Sequence, residues 1–166
     1  MNETEALRAP LPLLVGSARP FVPMPDDGMA RVCRVYDGDT LTLLCRISGR
    51  LVTSQLRIDG VDAPEMKCAA QKYCATLVRD VVRELLLGRE VSVVADATDK
   101  YGRLLGDLTW PDAEDRPETT LRHYLLSRGL VRSYDGKARA AWSPETLTTI
   151  AASAEIVLAE LRERPA

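Results

Sequence analysis

Arg57, Asp59, Asp62 and Glu65 fall within the stretch QLRIDGVDAPEM, residues 55–66, with Gly60 and Pro64 fixing the turns between the acids. Carboxylates are hard oxygen donors, and a guanidinium is a permanent cation with donors in a rigid fork. The stretch starts like a strand and ends like a metal site. Each residue also has an ordinary explanation. Asp62 and Glu65 around Pro64 fit an Asx-type turn into a helix, where the helix dipole favours Glu65 in the first turn. Arg57 alternates with Leu56 and Ile58, so it points away from them, to solvent or to a cleft.

Three further clusters could carry chemistry. In YDGDT, residues 36–40, Asp37-Gly38 reads as hairpin-turn chemistry. Asp39 starts the next strand, where both a solvated acid and a metal ligand fit. In DKYGR, residues 99–103, Asp99 to Gly102 fit a β-turn and Arg103 a solvated strand-edge residue. In RGLVRSYDGKAR, residues 128–139, Arg128, Arg132, Lys137 and Arg139 surround Tyr134 and a lone Asp135. That segment reads as a solvated charged face or as a local phosphate-tracking patch.

The elements that must position these residues follow from periodicity and turns. MARVCRVY and TLTLLCRI are β-rich runs around Asp37-Gly38-Asp39, and LVTSQLRI follows Ser48-Gly49-Arg50, which predicts a three-strand meander. Residues 67–87 change to helical spacing through Cys74, Leu77, Val78, Val81, Val82, Leu85 and Leu86, and Gly88 ends the run. EVSVVAD and RLLGDLTW are a fourth and a fifth strand, joined by ATDKYG. A short helix is predicted around Thr120 to Ser127. Ser143-Pro144-Glu145 opens a last helix through about Glu163, with Leu147, Ile150, Ala151, Ala154, Val157, Leu158 and Leu161 on one stripe for packing on the barrel. Three strands, a helix, two strands and further helices suit an α+β, mainly β fold. This is a five-stranded OB-fold Greek-key barrel with a helix between strands three and four and C-terminal helices. An α+β sheet with another strand order is the alternative. The expected division is a Pro-rich arm over 1–28, extended or disordered, with five of the 10 prolines, a barrel domain over 29–142 and a packed helix over 143–166.

Composition narrows the function classes. The chain has 166 residues and a single histidine, His123, which excludes a mechanism built on several histidines. Its net charge of −2 gives no global basic field for polyanions. No apolar run approaches the roughly 20 residues of a membrane-spanning helix. The start, MNETEALRAP, has the wrong charge for a signal peptide, so the protein is expected inside the cell. The four cysteines, Cys33, Cys45, Cys68 and Cys74, lack zinc-site spacing and read as free buried thiols. A Cys33–Cys45 disulfide across the hairpin is the alternative in an oxidising compartment.

Taken together, DGDT, an Arg on the third strand, D-x-P-E after it and D-K-Y-G-R beyond one helix and one strand resemble the staphylococcal nuclease (thermonuclease) family. The resemblance covers about residues 30–142, and LLSRGLVRSYDG resembles that family's later helix, glycine and closing aromatic segment. It implies an OB-fold barrel with one Ca²⁺ that hydrolyses phosphodiesters of DNA and RNA. Asp39 and Asp62 would be carboxylate ligands and the backbone carbonyl of Ala63 a third. The best-known member has Thr at that position, but a carbonyl ligand does not need the side chain. Glu65 would orient or deprotonate the attacking water, and Arg57 and Arg103 would grip the scissile phosphate. Lys100 and Tyr101 would contact a terminal substrate phosphate and Tyr134 the nucleotide. The family attacks at phosphorus and breaks the bond to the 5′ oxygen, leaving 3′-phosphate and 5′-hydroxyl ends. Expected partners are DNA and RNA, single-stranded by preference, with no membrane, and the chain is expected to be a monomer. A non-catalytic OB-fold module that binds nucleic acid or a protein is the rival reading.

Overall fold

The computed structural model describes residues 21–111 and 119–164. Three strands open the chain: β1 (Met29–Asp37), β2 (Thr40–Ile47) and β3 (Arg50–Ile58). They form the expected antiparallel meander, with Val32 opposite Leu43 and Leu43 opposite Ser54. The β2–β3 turn places Ser48 and Gly49 at φ 50° and 74°, the double positive φ that matches strand twist in a two-residue hairpin. The Asp26 carboxylate accepts the N–H groups of Ser48 and Gly49 at 2.7 and 2.8 Å. Val22 and Met24 pack against the core. The end of the Pro-rich segment thus meets the barrel, whereas residues 1–20 lie outside the described residues.

A two-residue strand, β4 (Val61–Asp62), precedes helix α1 (Lys72–Leu86). The helix begins later than the predicted residue 67. Glu65 to Gln71 form turns instead, with the Cys68 N–H on the Glu65 carbonyl and the Gln71 N–H on the Cys68 carbonyl. The apolar spacing that defines the helix starts only at Cys74, and its buried face is Cys74, Ala75, Val78, Val81, Val82, Leu85 and Leu86.

Strands β5 (Glu90–Thr98) and β6 (Leu104–Trp110) complete the barrel in the order β3-β2-β1-β5-β6. Parallel pairing of β3 with β6 closes it, with Leu56 opposite Leu104 and Ile58 opposite Gly106. This is the expected five-stranded Greek-key barrel. Val32, Leu41, Leu43, Leu56, Ile58, Val91 and Leu104 have no exposed surface, and burial of each such side chain contributes roughly 1.5–3 kcal/mol.

Strand β7 (Thr119–Thr120), helix α2 (Leu121–Ser127), strand β8 (Arg132–Ser133) and helix α3 (Pro144–Arg162) follow. Thr120 caps α2 by accepting the His123 N–H, and Ser143 caps α3 by accepting that of Thr146. The α3 stripe packs against α1, burying Ile150, Ala151, Ala154, Val157 and Leu158. β8 pairs with β4, which sets Arg132 opposite Asp62. Cys33 is exposed and Cys45 buried, so they do not face each other. All four thiols are free, although only Cys45 and Cys74 are buried.

Candidate active site

The β1–β2 turn delivers the first acid. Asp37 pairs with Thr40, leaving Gly38 and Asp39 as the connection. A Cβ on Gly38 would lie 2.6 Å from Val78 Cγ1 and 3.1 Å from Ala63 Cβ. This glycine is therefore required by the close approach of α1 and the 62–65 segment. Asp39 is 5% exposed. Its Oδ2 accepts the Ala63 N–H at 2.8 Å and lies 3.2 Å from Arg57 Nη2, and its Oδ1 accepts the Thr40 hydroxyl at 3.1 Å.

Arg57 is no surface residue. It is 5% exposed, and its guanidinium donates to the carbonyls of Ile58 at 2.5 Å and Val61 at 2.8 Å. One cation thus fixes the turn from β3 to β4 and stands against Asp39. A planar fork with five donors can do both, whereas a lysine ammonium could not keep this geometry.

Asp62 is 1% exposed and is not part of the cleft wall. Arg132 donates to its Oδ2 through Nε at 3.0 Å and Nη2 at 2.7 Å. Arg132 also stacks on Trp142, 3.7 Å from the ring centroid. Asp62 Oδ1 is buried without a hydrogen-bond partner among the described residues, and Arg139 Nε stands 3.5 Å away. Arg139 Nη1 pairs with the half-buried Glu65, whose own N–H donates to Gln71 Oε1 at 2.8 Å.

Burial raises the Asp37 carboxyl to about 7, aided by the neighbouring Asp39 charge. Burial alone would lower the Arg139 pKa, but the charges of Asp62, Glu65 and Asp39 outweigh it and raise it. The acids thus form one electrostatic unit with Arg139 at its edge.

The opposite wall is the turn between β5 and β6. Asp99 Oδ1 accepts the N–H groups of Tyr101 at 2.9 Å and Arg103 at 3.0 Å, and its Oδ2 accepts Arg103 Nε at 2.6 Å. Burial tends to raise the Asp99 pKa, but these hydrogen bonds and the Arg103 charge win and lower it. Gly102 adopts φ 81°, as the tight turn requires. Lys100 Nζ and Arg103 Cζ lie 5.1 and 5.6 Å from the centre of the exposed Tyr101 ring. The Arg103 terminal nitrogens make no hydrogen bond among the described residues, which leaves them free for an anion.

One cleft of about 950 Å³ is lined by Asp39, Arg57, Ala63, Glu65, Lys100, Tyr101, Arg103 and Tyr134. These are the residues singled out from sequence, with Asp62 buried behind them. Two charged residues of the wall have partners that the sequence did not reveal. Asp37 reads locally as turn chemistry, and only its burial beside Asp39 marks it out. Arg139 belongs to a charged run, and nothing nearby in the chain signals its partner, Glu65. Arg132 differs from the expectation of a phosphate-tracking cation, because its guanidinium is engaged by Asp62. Lys137 and Arg139 do line the cleft.

Among the described residues no His, Cys, Asp and Glu side chains form a ready-made metal cage. The donor chemistry nevertheless fits a hard divalent cation. Asp39, Asp62, Glu65 and the Ala63 carbonyl are all oxygen donors, and Asp62 Oδ1 is a buried oxygen with no hydrogen bond among the described residues.

Comparison with known proteins bears on this geometry. The sequence pattern of the staphylococcal nuclease homologue family matches residues 55–155. An uncharacterized endonuclease of Escherichia coli O157:H7 is 35% identical over 82 residues, which is 49% of this chain and 48% of that protein. A micrococcal nuclease of Shigella flexneri is 28% identical over 117 residues, 68% of this chain and 62% of that protein. The chain spans about half the length of the endonuclease it matches.

Proposed function

The chain belongs to the staphylococcal nuclease homologue family, and from that premise we propose that it is a calcium-dependent nuclease hydrolysing phosphodiester bonds of DNA and RNA. The observation that carries the reading is the convergence of Arg57, Glu65 and Arg103 with Asp39 in one cleft. These residues come from three separate stretches of chain, residues 36–40, 55–66 and 99–103. Asp39, Asp62 and the Ala63 carbonyl would hold one Ca²⁺, which when bound would act as a Lewis acid toward a phosphoryl oxygen.

The chain's own groups do the rest. Glu65, held by Arg139, accepts the proton of a water aimed at phosphorus. Arg57 and Arg103 donate to the phosphoryl oxygens as negative charge grows there. Each such preorganised donor is worth roughly 2.7–4 kcal/mol, against the order of 20 kcal/mol that phosphoester hydrolysis requires. The need for several converging groups follows. Breakage of the bond to the 5′ oxygen leaves 3′-phosphate and 5′-hydroxyl ends. Lys100 and Tyr101 lie where they can meet a neighbouring phosphate, and Tyr134 can stack on a base.

An open cleft on a small barrel admits an unstacked strand more easily than a duplex, which favours single-stranded substrate. The chain would act as a monomer. Four free thiols suit an intracellular, reducing compartment, and no helix among the described residues is long and apolar enough to cross a membrane.

The test incubates the protein with single-stranded DNA, with Ca²⁺ or chelator, beside Glu65→Gln and Arg57→Lys. Cleavage that needs Ca²⁺ and falls in both variants supports the reading, with end-group analysis giving 3′-phosphates. Binding with no cleavage by the unmodified protein would favour the non-catalytic module. That module's support is the pairing of Asp62 and Glu65 with arginines.

A further inference from the structure

A second groove of about 290 Å³ lies beside the cleft. Its walls carry Arg34 of β1 and Arg79 and Arg83 of α1, and include no carboxylate. Tyr36 and Met66 line both the groove and the cleft, so the two are contiguous. Arg79 and Arg83 are four apart on α1 and share a helix face. α1 packs against β1, and both arginines line the groove with Arg34.

The arginines differ in what they touch. Arg79 is paired with its neighbour Asp80 at 2.8 Å. Arg34 and Arg83 are exposed, and their guanidiniums make no hydrogen bond or ion pair among the described residues. In the cleft, by contrast, Arg57, Arg103 and Arg139 each pair with an acid. A single exposed arginine is ordinary on a soluble protein. Two uncommitted ones in a groove that runs into a phosphodiester cleft, on a chain of net charge −2, select an anionic ligand that continues out of that cleft.

We propose that this groove is a second phosphate subsite, which holds backbone phosphates of the polynucleotide strand beyond the one being cleaved. Tyr36, at the junction and 38% exposed, offers a ring face on which a base can stack. The proposal rests on the nuclease reading and adds to it a preference for polymers over dinucleotides.

The test compares Glu65→Gln, used to arrest cleavage, with the same protein carrying Arg34→Gln and Arg83→Gln. Binding of a labelled single-stranded DNA of about 12 nucleotides and of a dinucleotide is followed by fluorescence anisotropy in Ca²⁺ at several salt concentrations. Each phosphate contact to a single strand contributes about 0.7 to the slope of log K against log salt, so loss of two should make it shallower by about 1.4. The long strand should bind more weakly while the dinucleotide binds as before. Arg34→Glu with Arg83→Glu should weaken the long strand further. An unchanged slope, or an equal loss for the dinucleotide, overturns the groove and leaves the nuclease reading standing. If the protein with an intact groove binds neither ligand, the nuclease reading fails and the groove with it.

Discussion

The Glu65 carboxylate meets Arg139 at the cleft wall, so its position is held before any substrate arrives. Glu65→Gln keeps the shape and removes the proton acceptor. It should lower kcat by about 10²–10⁴ while calorimetry still detects Ca²⁺ binding. Arg103→Lys gives up the fork that binds Asp99 and an anion together, and should cost about 10²–10³ in kcat. Arg57→Lys should also lower the melting temperature, because two backbone carbonyls lose a buried donor. Asp99 supplies a pH test. Its carboxyl is held below the ordinary 3.8, so the folded state favours the ionised form. That stabilisation is complete above the ordinary value and is lost as pH falls through the folded one. The melting-temperature gap between the protein and Asp99→Asn should therefore be constant near neutrality and close in acid. Asp39, Arg57, Glu65 and Arg103 were legible from motif order. Asp37 and Arg139 were not, since a turn Asp-Gly is generic and a run of arginines does not say which acid each will meet.

Elements set these side chains through close approach. Gly38→Ala would drive a methyl into Val78 of α1, and overpacking of this kind costs about 1–3 kcal/mol. Thermal melting should show the loss, and because Asp39 is the next residue, Ca²⁺ affinity should fall with it. Ile150→Ala, at the buried α1–α3 contact, should destabilise the protein by about 2–5 kcal/mol with little change in kcat at a temperature where it stays folded. The cap of the last helix was readable, because Ser143-Pro144-Glu145 is a local signal followed by the periodicity it opens, whereas Thr120, read as the first residue of the short helix, is its cap. The start of α1 was less so. Residues 65–71 carry no breaker strong enough to mark the turns, and the Glu65 N–H finds its partner in the Gln71 side chain rather than in a helix. Strand β8 is two residues long and exists through pairing with β4, a contact between chain segments far apart that no local pattern announces.

At the scale of the whole molecule, the parallel closure of β3 on β6 places Arg57 opposite Leu105, two residues from Arg103. The two arginines proposed to grip one phosphate thus line one cleft only because the barrel is shut. Local patterning predicts the strands but leaves their order open, and the family resemblance supplied it. The same closure bears on how a chain of net charge −2 would address the proposed polyanionic substrate, since a share of its cations lines one cleft and the adjoining groove. The account is tested most directly by the rate of single-stranded DNA hydrolysis as a function of Ca²⁺ for the unmodified protein and Glu65→Gln. It predicts a rate that saturates with Ca²⁺, vanishes in chelator and drops at least a hundredfold in the variant. A rate that ignores the chelator, or is equal in the two proteins, would contradict it.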